Sequence, residues 1–301
     1  MAQSLFITGA TGFLGRHFLQ GINPQRYRHI YCLSRTGQPP ANNPSGFPSV
    51  TFIRGTLFDA DLYRPYLARA ETVVHMAAAV GKVEKAEYFH VNAEGTEFLL
   101  QECQQLGVRN FLYISSIAVK YIHKSRYYYA QSKQLAEEAV RRSQLRYTIV
   151  RPTLIIGKES SPWQSLSKLV TGRLILVIGN GTSRIQPIYV DDLVEFLDST
   201  LGLNNFSNET IEVGGPEVIT IEHFLKRIHQ IHHNSPPLVL HLPLKLLVSI
   251  LSFFEAFSSS LLPLNVGQLA FFDNDGTIEP SMVLQPQLQR MKSIDEMLAI
   301  L

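Results

Sequence analysis

The sequence is poor in the features that mark most specialised protein classes. Only two cysteines, Cys32 and Cys103, occur in 301 residues, too few for a disulfide-held secreted scaffold. Cys32 falls in a predicted strand and Cys103 in a predicted helix, so reduced, buried thiols are expected. Charge is scarce as well: charged residues make up 17%, the net charge is +2, and no basic run reaches five residues. This balance argues against nucleic acid as a partner and leaves a small phosphorylated ligand as the anion to expect. No apolar run reaches the ~18 to 20 uninterrupted residues of a membrane span. The best candidate, Leu238 to Leu264, is broken by His241, Pro243, Lys245 and Glu255. A buried or partner-facing helix is preferred there, with peripheral membrane contact through 243–264 as the alternative. No charged n-region or cleavage site precedes the first apolar segment, which predicts a cytoplasmic protein.

What is present is a globular core, with hydrophobic residues at 45%. Apolar runs at Ser4 to Thr8, His29 to Leu33, Val50 to Arg54, Thr72 to Met76, Asn110 to Ser115 and Tyr147 to Val150 read as strands. Helical patterns separate them, around Gly12 to Leu19, Asp61 to Ala68, Lys85 to Leu106 and Tyr128 to Arg142. This alternation predicts an α/β fold, a Rossmann-type doubly wound parallel sheet with helices on both faces. The dinucleotide-binding domain is expected over 1–152. A smaller, mainly substrate-binding lobe with C-terminal apolar helices is expected over 153–301, with elements around 185–201 rejoining the sheet. In the lobe, Ile185 to Val190 reads as one strand, Thr220 as a helix cap, and Ser293 with Glu296 as a capping box.

Between the first strand and first helix runs Thr8-Gly9-Ala10-Thr11-Gly12-Phe13-Leu14-Gly15. A dinucleotide needs a tight turn, a close backbone approach to its pyrophosphate, and a helix whose N–H groups and positive dipole end face the phosphates. Gly9, Gly12 and Gly15 meet these demands at a spacing of three and three.

Chemistry is carried by Tyr129-Ala130-Gln131-Ser132-Lys133. Four residues are one helical turn, so Tyr129 and Lys133 share a face. A phenol with a pKa near ~10 is a poor acid–base group at neutral pH unless a cation such as Lys133 favours its phenolate. Ser116 follows a strand at its carboxyl end, where ligands bind in open α/β sheets. By contrast, His229, His232 and His233 precede a Pro-rich turn, and interaction with a helix dipole explains them better than a metal site. His75 is expected to be structural, and Asn92 to bond to backbone near the site.

Seven motifs in order make the chain resemble an extended short-chain dehydrogenase/reductase of the NAD(P)-dependent epimerase/dehydratase group. They are the turn at Thr8 to Gly15, Val73 to Ala78, Val91 to Thr96, Ser115 to Val119, Tyr129 to Lys133, Arg151 to Thr153, and Tyr189 to Leu193. The resemblance covers roughly the first 230 residues. It implies that Ser116, Tyr129 and Lys133 are catalytic, that Tyr129 moves the proton and that Lys133 also holds the ribose. It places Gly9, Thr11, Gly12, Phe13, Leu14, Gly15, Ala77, Ala79 and Pro152 along the cofactor. It also implies a homodimer through the two long helices. Thr56 and Leu57 stand where relatives usually carry an adenine-contacting aspartate.

An acidic residue ~20 positions after the glycines marks NAD, and an arginine there favours the 2′-phosphate of NADP. Tyr31-Cys32-Leu33 is followed by Ser34-Arg35 with no carboxylate, so NADP is expected over NAD, with Arg35 paired to the phosphate and Ser34 donating a hydroxyl. The substrate is a small molecule. Its expected walls, Val80 to Val83, Ile117 to Lys120 and Ile155 to Gly157, are rather apolar, and few arginines are at hand beyond Arg173 and Arg184. A sterol-like, isoprenoid or simple sugar alcohol suits such a pocket better than a nucleotide sugar. A second hypothesis is a non-catalytic NADPH-binding scaffold or sensor. The stretch ending in Pro263 to Leu269 motivates it, being similar to relatives of the accessory NADPH-binding subunit of respiratory complex I.

Overall fold

A computed structural model describes residues 3–39, 50–203, 206–233, 235–255, 266–278 and 290–301. In chain order these begin with β1 (Gln3–Thr8), α1 (Phe13–Gly21), β2 (Tyr27–Ser34), β3 (Val50–Arg54), α2 (Ala60–Leu67) and β4 (Thr72–His75). There follow α3 (Lys85–Tyr88), α4 (Gly95–Gln105), β5 (Asn110–Ile114), α5 (Tyr128–Arg142) and β6 (Arg146–Pro152). Next come β7 (Ile155–Ile156), α6 (Ser161–Ser167), β8 (Val170–Thr171), β9 (Leu174–Ile178), β10 (Arg184–Ile185), β11 (Ile188–Tyr189) and α7 (Val190–Gly202). The remainder is β12 (Glu209–Val213), β13 (Ile219–Thr220), α8 (Ile221–His232), β14 (Leu238–Leu242), α9 (Leu244–Glu255) and α10 (Ile294–Ile300).

Two compact units result. The first comprises residues 1–116, 132–151 and 190–211, the second 117–131, 152–189 and 212–301. The main sheet runs β12-β6-β5-β4-β1-β2-β3, the doubly wound order in which sequence doubles back at β1. From β6 to β3 every pairing is parallel. Its strands are apolar on both faces because helices cover both. Phe6, Val73, Phe111 and Ile149 face a cluster with Tyr63 and Leu67 of α2, Leu99 and Cys103 of α4, and Ala136 and Val140 of α5. α1 packs against α7 closely enough that a Cβ on Gly21 would lie 2.6 Å from Val194 Cγ1. Both cysteines are free and buried.

Three local expectations are overturned. The helix read over Lys85 to Leu106 is interrupted by a π-helical turn at Phe89–Glu94, whose extra residue carries Asn92 into the interior. The strand read over Ile185 to Val190 is two: β10 pairs antiparallel with β13 and β11 parallel with β7. Pro187 between them has no N–H to continue a ladder. The apolar stretch from Leu238 is not one helix. Its first five residues form β14, an edge strand parallel to β9, and Pro243 separates it from α9. Nor is α9 buried, since Leu246 is 56% and Ile250 43% exposed; residues 256–264 lie outside the described part. Among the described residues no helix is long and apolar enough to cross a membrane. The caps stand as read: Thr220 accepts from the His223 N–H at 3.3 Å, and Ser293 and Glu296 cap each other. His229, in the last turn of α8, is fully buried, and among the described residues neither of its ring nitrogens is hydrogen-bonded.

Candidate active site

β1 ends at Thr8, and the chain turns at Gly9 with φ +76°, a left-handed conformation that suits glycine. A Cβ there would fall 2.5 Å from the Ala77 nitrogen, and one on Gly15 would fall 2.2 Å from the Gly9 carbonyl oxygen. Gly9 and Gly15 are therefore packing requirements that press turn, helix and the end of β4 together. Gly12 differs. It is the exposed N-cap of α1, its nearest obstacle to a Cβ is the Gly9 oxygen at 3.2 Å, and no side chain caps the helix. No acidic residue occupies the first turn. The free N–H groups and dipole of α1 thus open onto an uncrowded surface, the arrangement a pyrophosphate requires. Arg16 steadies the turn by donating to the Thr11 carbonyl at 3.1 Å, and Thr11, Phe13 and Leu14 are half-buried around it.

At the end of β2, Ser34 is buried and Arg35 exposed. The Ser34 hydroxyl accepts from the Gly37 N–H at 3.0 Å, which leaves its hydrogen free to donate. Beyond β3, the Thr56 N–H and hydroxyl both donate to Asp59 Oδ2 at 2.7 Å. That capping leaves Thr56 only acceptor capacity and holds the Asp59 carboxyl below its usual range. Leu57 is buried.

Past β4 a polar chain crosses the interior. The Thr96 hydroxyl donates to the Asn92 carbonyl at 2.6 Å, so it accepts from His75 Nε2 at 2.9 Å. His75 is then neutral, with Nδ1 accepting from the Thr8 hydroxyl at 2.6 Å, and Thr8 accepts in turn from the Ala77 N–H at 3.2 Å. Burial and the Lys133 charge lower the His75 pKa to about 3, which agrees with this tautomer. Asn92 bonds to both backbone groups of Ala79, accepting from its N–H at 2.7 Å and donating to its carbonyl at 3.1 Å. It also donates to Ser132 of α5 at 3.0 Å. The segment Ala77 to Ala79 is thereby fixed at both ends.

α5 carries Tyr129 and Lys133 one turn apart. It begins in the second unit, with Tyr129, and continues in the first, with Lys133. Lys133 is 2% exposed, donates to the Ile114 carbonyl at 2.6 Å and lies 4.2 Å over the Tyr113 ring. Burial lowers its pKa to about 7, against the opposing pull of Glu137. Of the adjacent serines, Ser115 is buried and donates to Glu137 at 2.6 Å, whereas Ser116 is half-buried. Glu137, unexposed, also binds Arg151 through two bonds of 2.8 and 2.6 Å and Arg141 at 2.7 Å. Together these bonds outweigh the cost of burial and keep its carboxylate ionised. Reading the sequence missed Glu137, although its place one turn after Lys133 on the same helix was a usable signal. Pro152, at the end of β6, is buried in the second unit. Within the first unit the structure gathers Gly9 to Gly15, Ala77 and Ala79 around the start of α1 and the end of β4. Ser34, Arg35, Thr56 and Leu57 follow the ends of β2 and β3.

Together, a doubly wound sheet, a glycine turn into α1 and the Tyr129–Lys133 helix define a nucleotide-binding α/β protein. More particularly, the model of the NAD dependent epimerase/dehydratase family matches residues 5–214, and the chain belongs to that family. It is 32% identical over 188 residues to a ceramide reductase of Caulobacter vibrioides, covering 62% of this chain and 57% of that protein. It is 26% identical over 250 residues to the mitochondrial NADH dehydrogenase [ubiquinone] 1 alpha subcomplex subunit 9 of Arabidopsis thaliana, covering 76% of this chain and 58% of that one. The chain thus spans somewhat more than half the length of these curated relatives. Among solved structures, MoeE5 in complex with UDP-glucuronic acid and NAD superposes with a TM-score of 0.72 at 19% identity, over 99% of this chain and 97% of the other. At that identity the likeness is one of fold.

Proposed function

We propose that the chain is an NADP-dependent oxidoreductase or epimerase of the extended short-chain dehydrogenase type, acting at a secondary alcohol or ketone with Tyr129 as acid–base. The observation that carries this is the α5 turn: Tyr129 stands one turn before a lysine that is buried and held on the Ile114 carbonyl. Burial disfavours the ammonium and lowers its pKa, and a lysine perturbed in this way one turn from a tyrosine is the kind of group that clusters at functional sites. Family membership supports an NAD(P) cofactor. The open N-terminus of α1 suits its pyrophosphate, and Arg35 with the Ser34 hydroxyl suits the 2′-phosphate that distinguishes NADP.

The nicotinamide supplies or accepts the hydride. Tyr129 gives its hydroxyl proton to the substrate oxygen in reduction and takes it back in oxidation. Lys133 holds the ribose and favours the phenolate, and Ser116 donates a hydrogen bond to the same substrate oxygen. An apolar substrate is favoured: Arg151 is committed to Glu137, and Arg184 is paired with Asp275 at 2.7 Å. A relative named a ceramide reductase points the same way.

Tyr129→Phe is expected to bind NADPH with unchanged affinity and to lose at least about a hundredfold in turnover, the scale of general acid–base catalysis. Unchanged turnover would sink the assignment. The second proposal, a non-catalytic NADPH-binding scaffold on a protein or membrane surface, has one observation in its favour, the exposed Leu246 and Ile250 of α9. A scaffold predicts that Tyr129→Phe changes nothing.

A further inference from the structure

The carboxyl ends of β2 and β3 carry a feature that the NADP assignment has not used. In the parallel register Ser34 lies opposite Arg54, the last residue of β3, so Ser34 and Arg54 belong to the same face of the sheet edge and Arg35 follows at the end of the neighbouring strand. Both are exposed. Among the described residues neither makes an ion pair or a side-chain hydrogen bond, whereas Arg16, Arg26, Arg64, Arg141, Arg151, Arg184 and Arg227 all do. No carboxylate occurs from Ser34 to Phe58, and the first one, on Asp59, is taken up by Thr56. The turn after β2 is held over Arg54. Gly37 adopts φ +66°, its N–H bonds back to Ser34, and a Cβ on it would fall 2.6 Å from Arg54 Cβ. Two cations at neighbouring strand ends, unpaired among the described residues, are available to a dianionic group that sits beyond those ends. Guanidinium forks match phosphate geometry.

We infer that Arg54 and Arg35 together form the subsite for the 2′-phosphate, making Arg54 a second specificity-determining residue for NADP. This rests on the assignment of NADP above. Arg54 lies about forty residues past the last glycine of the turn, far beyond the ~20-residue interval at which selectivity is ordinarily sought.

The test is calorimetric titration of the full chain with NADPH, NADH and 2′,5′-ADP. It compares the wild type with Arg54→Ala and Arg54→Gln, after thermal unfolding confirms that each variant is folded. Both variants are expected to weaken NADPH and 2′,5′-ADP by roughly ten- to a hundredfold, the worth of a charge-assisted bond, and to leave NADH unchanged. A wild-type preference for NADPH that persists in both variants overturns the role of Arg54 alone. Equal loss of NADPH and NADH also overturns it. A wild type that binds NADH as tightly as NADPH removes the NADP assignment and this inference with it.

Discussion

Lys133 is a buried titratable side chain, and its burial has a measurable consequence. In the unfolded chain its ammonium keeps its proton up to about pH 10.4, but burial lowers the folded pKa to about 7. Between these values the unfolded state binds the extra proton, so folding stability rises with pH across that window and the penalty is complete below it. Lys133→Met removes the titration and leaves the Ile114 carbonyl unpaired, a cost that pH does not change. The difference in Tm between Lys133→Met and wild type is therefore expected to favour methionine most near pH 6 and to shift steadily toward the wild type up to about pH 10. A gap that does not vary with pH would show that Lys133 is not buried as a titrating group. At this scale the sequence told only part of the story. Tyr129 and Lys133 were legible because helical spacing is local. The neutral state of His75 was not, because it depends on Thr8 and Thr96, which lie 67 and 21 residues away.

The glycine turn shows what can be resolved one element at a time. All three glycines looked alike in the sequence, yet Gly9 and Gly15 are held by sterics and Gly12 is exposed at the N-cap. Gly15→Ala puts a Cβ 2.2 Å from a backbone oxygen and is expected to destabilise the fold by about 1–3 kcal/mol or more, as overpacking does. Gly12→Ala needs a shift of only a few tenths of an ångström and is expected to change Tm little while weakening NADPH binding through the crowded phosphate approach. Thermal unfolding and titration of both variants separate the two roles; equal destabilisation would refute the distinction. The interruption at Phe89–Glu94 left no comparable trace in the sequence, since the periodicity on either side is helical. It follows from the bonds that Asn92 makes to Ala79 and Ser132.

Across the whole molecule, the open question is what the second unit meets. β14 is an edge strand with Leu238 68% and Leu240 48% exposed, and α9 follows it with Leu246 and Ile250 exposed one turn apart. If this face lies on a bilayer, the full chain co-sediments with liposomes, and the double variant Leu246→Ser/Ile250→Ser, folded to the same Tm, remains in the supernatant. Equal sedimentation of both would assign α9 to another role. Apolar content alone did not decide between a buried, a partner-facing and a membrane-facing α9, because a helix apolar almost all round suits each of these.

By itself the sequence determined the order of strands and helices through β6, the parallel α/β fold, the turn into α1, and the placing of Tyr129 one helical turn before Lys133. Each of these is encoded by residues within a turn or a strand of one another. Tertiary structure alone decided the commitment of Ser115 and Arg151 to Glu137, the break at Asn92, the exposed face of α9, and the register that sets Arg54 opposite Ser34. Those outcomes depend on which distant residues share a buried volume or a strand end, and on how far burial shifts their charge.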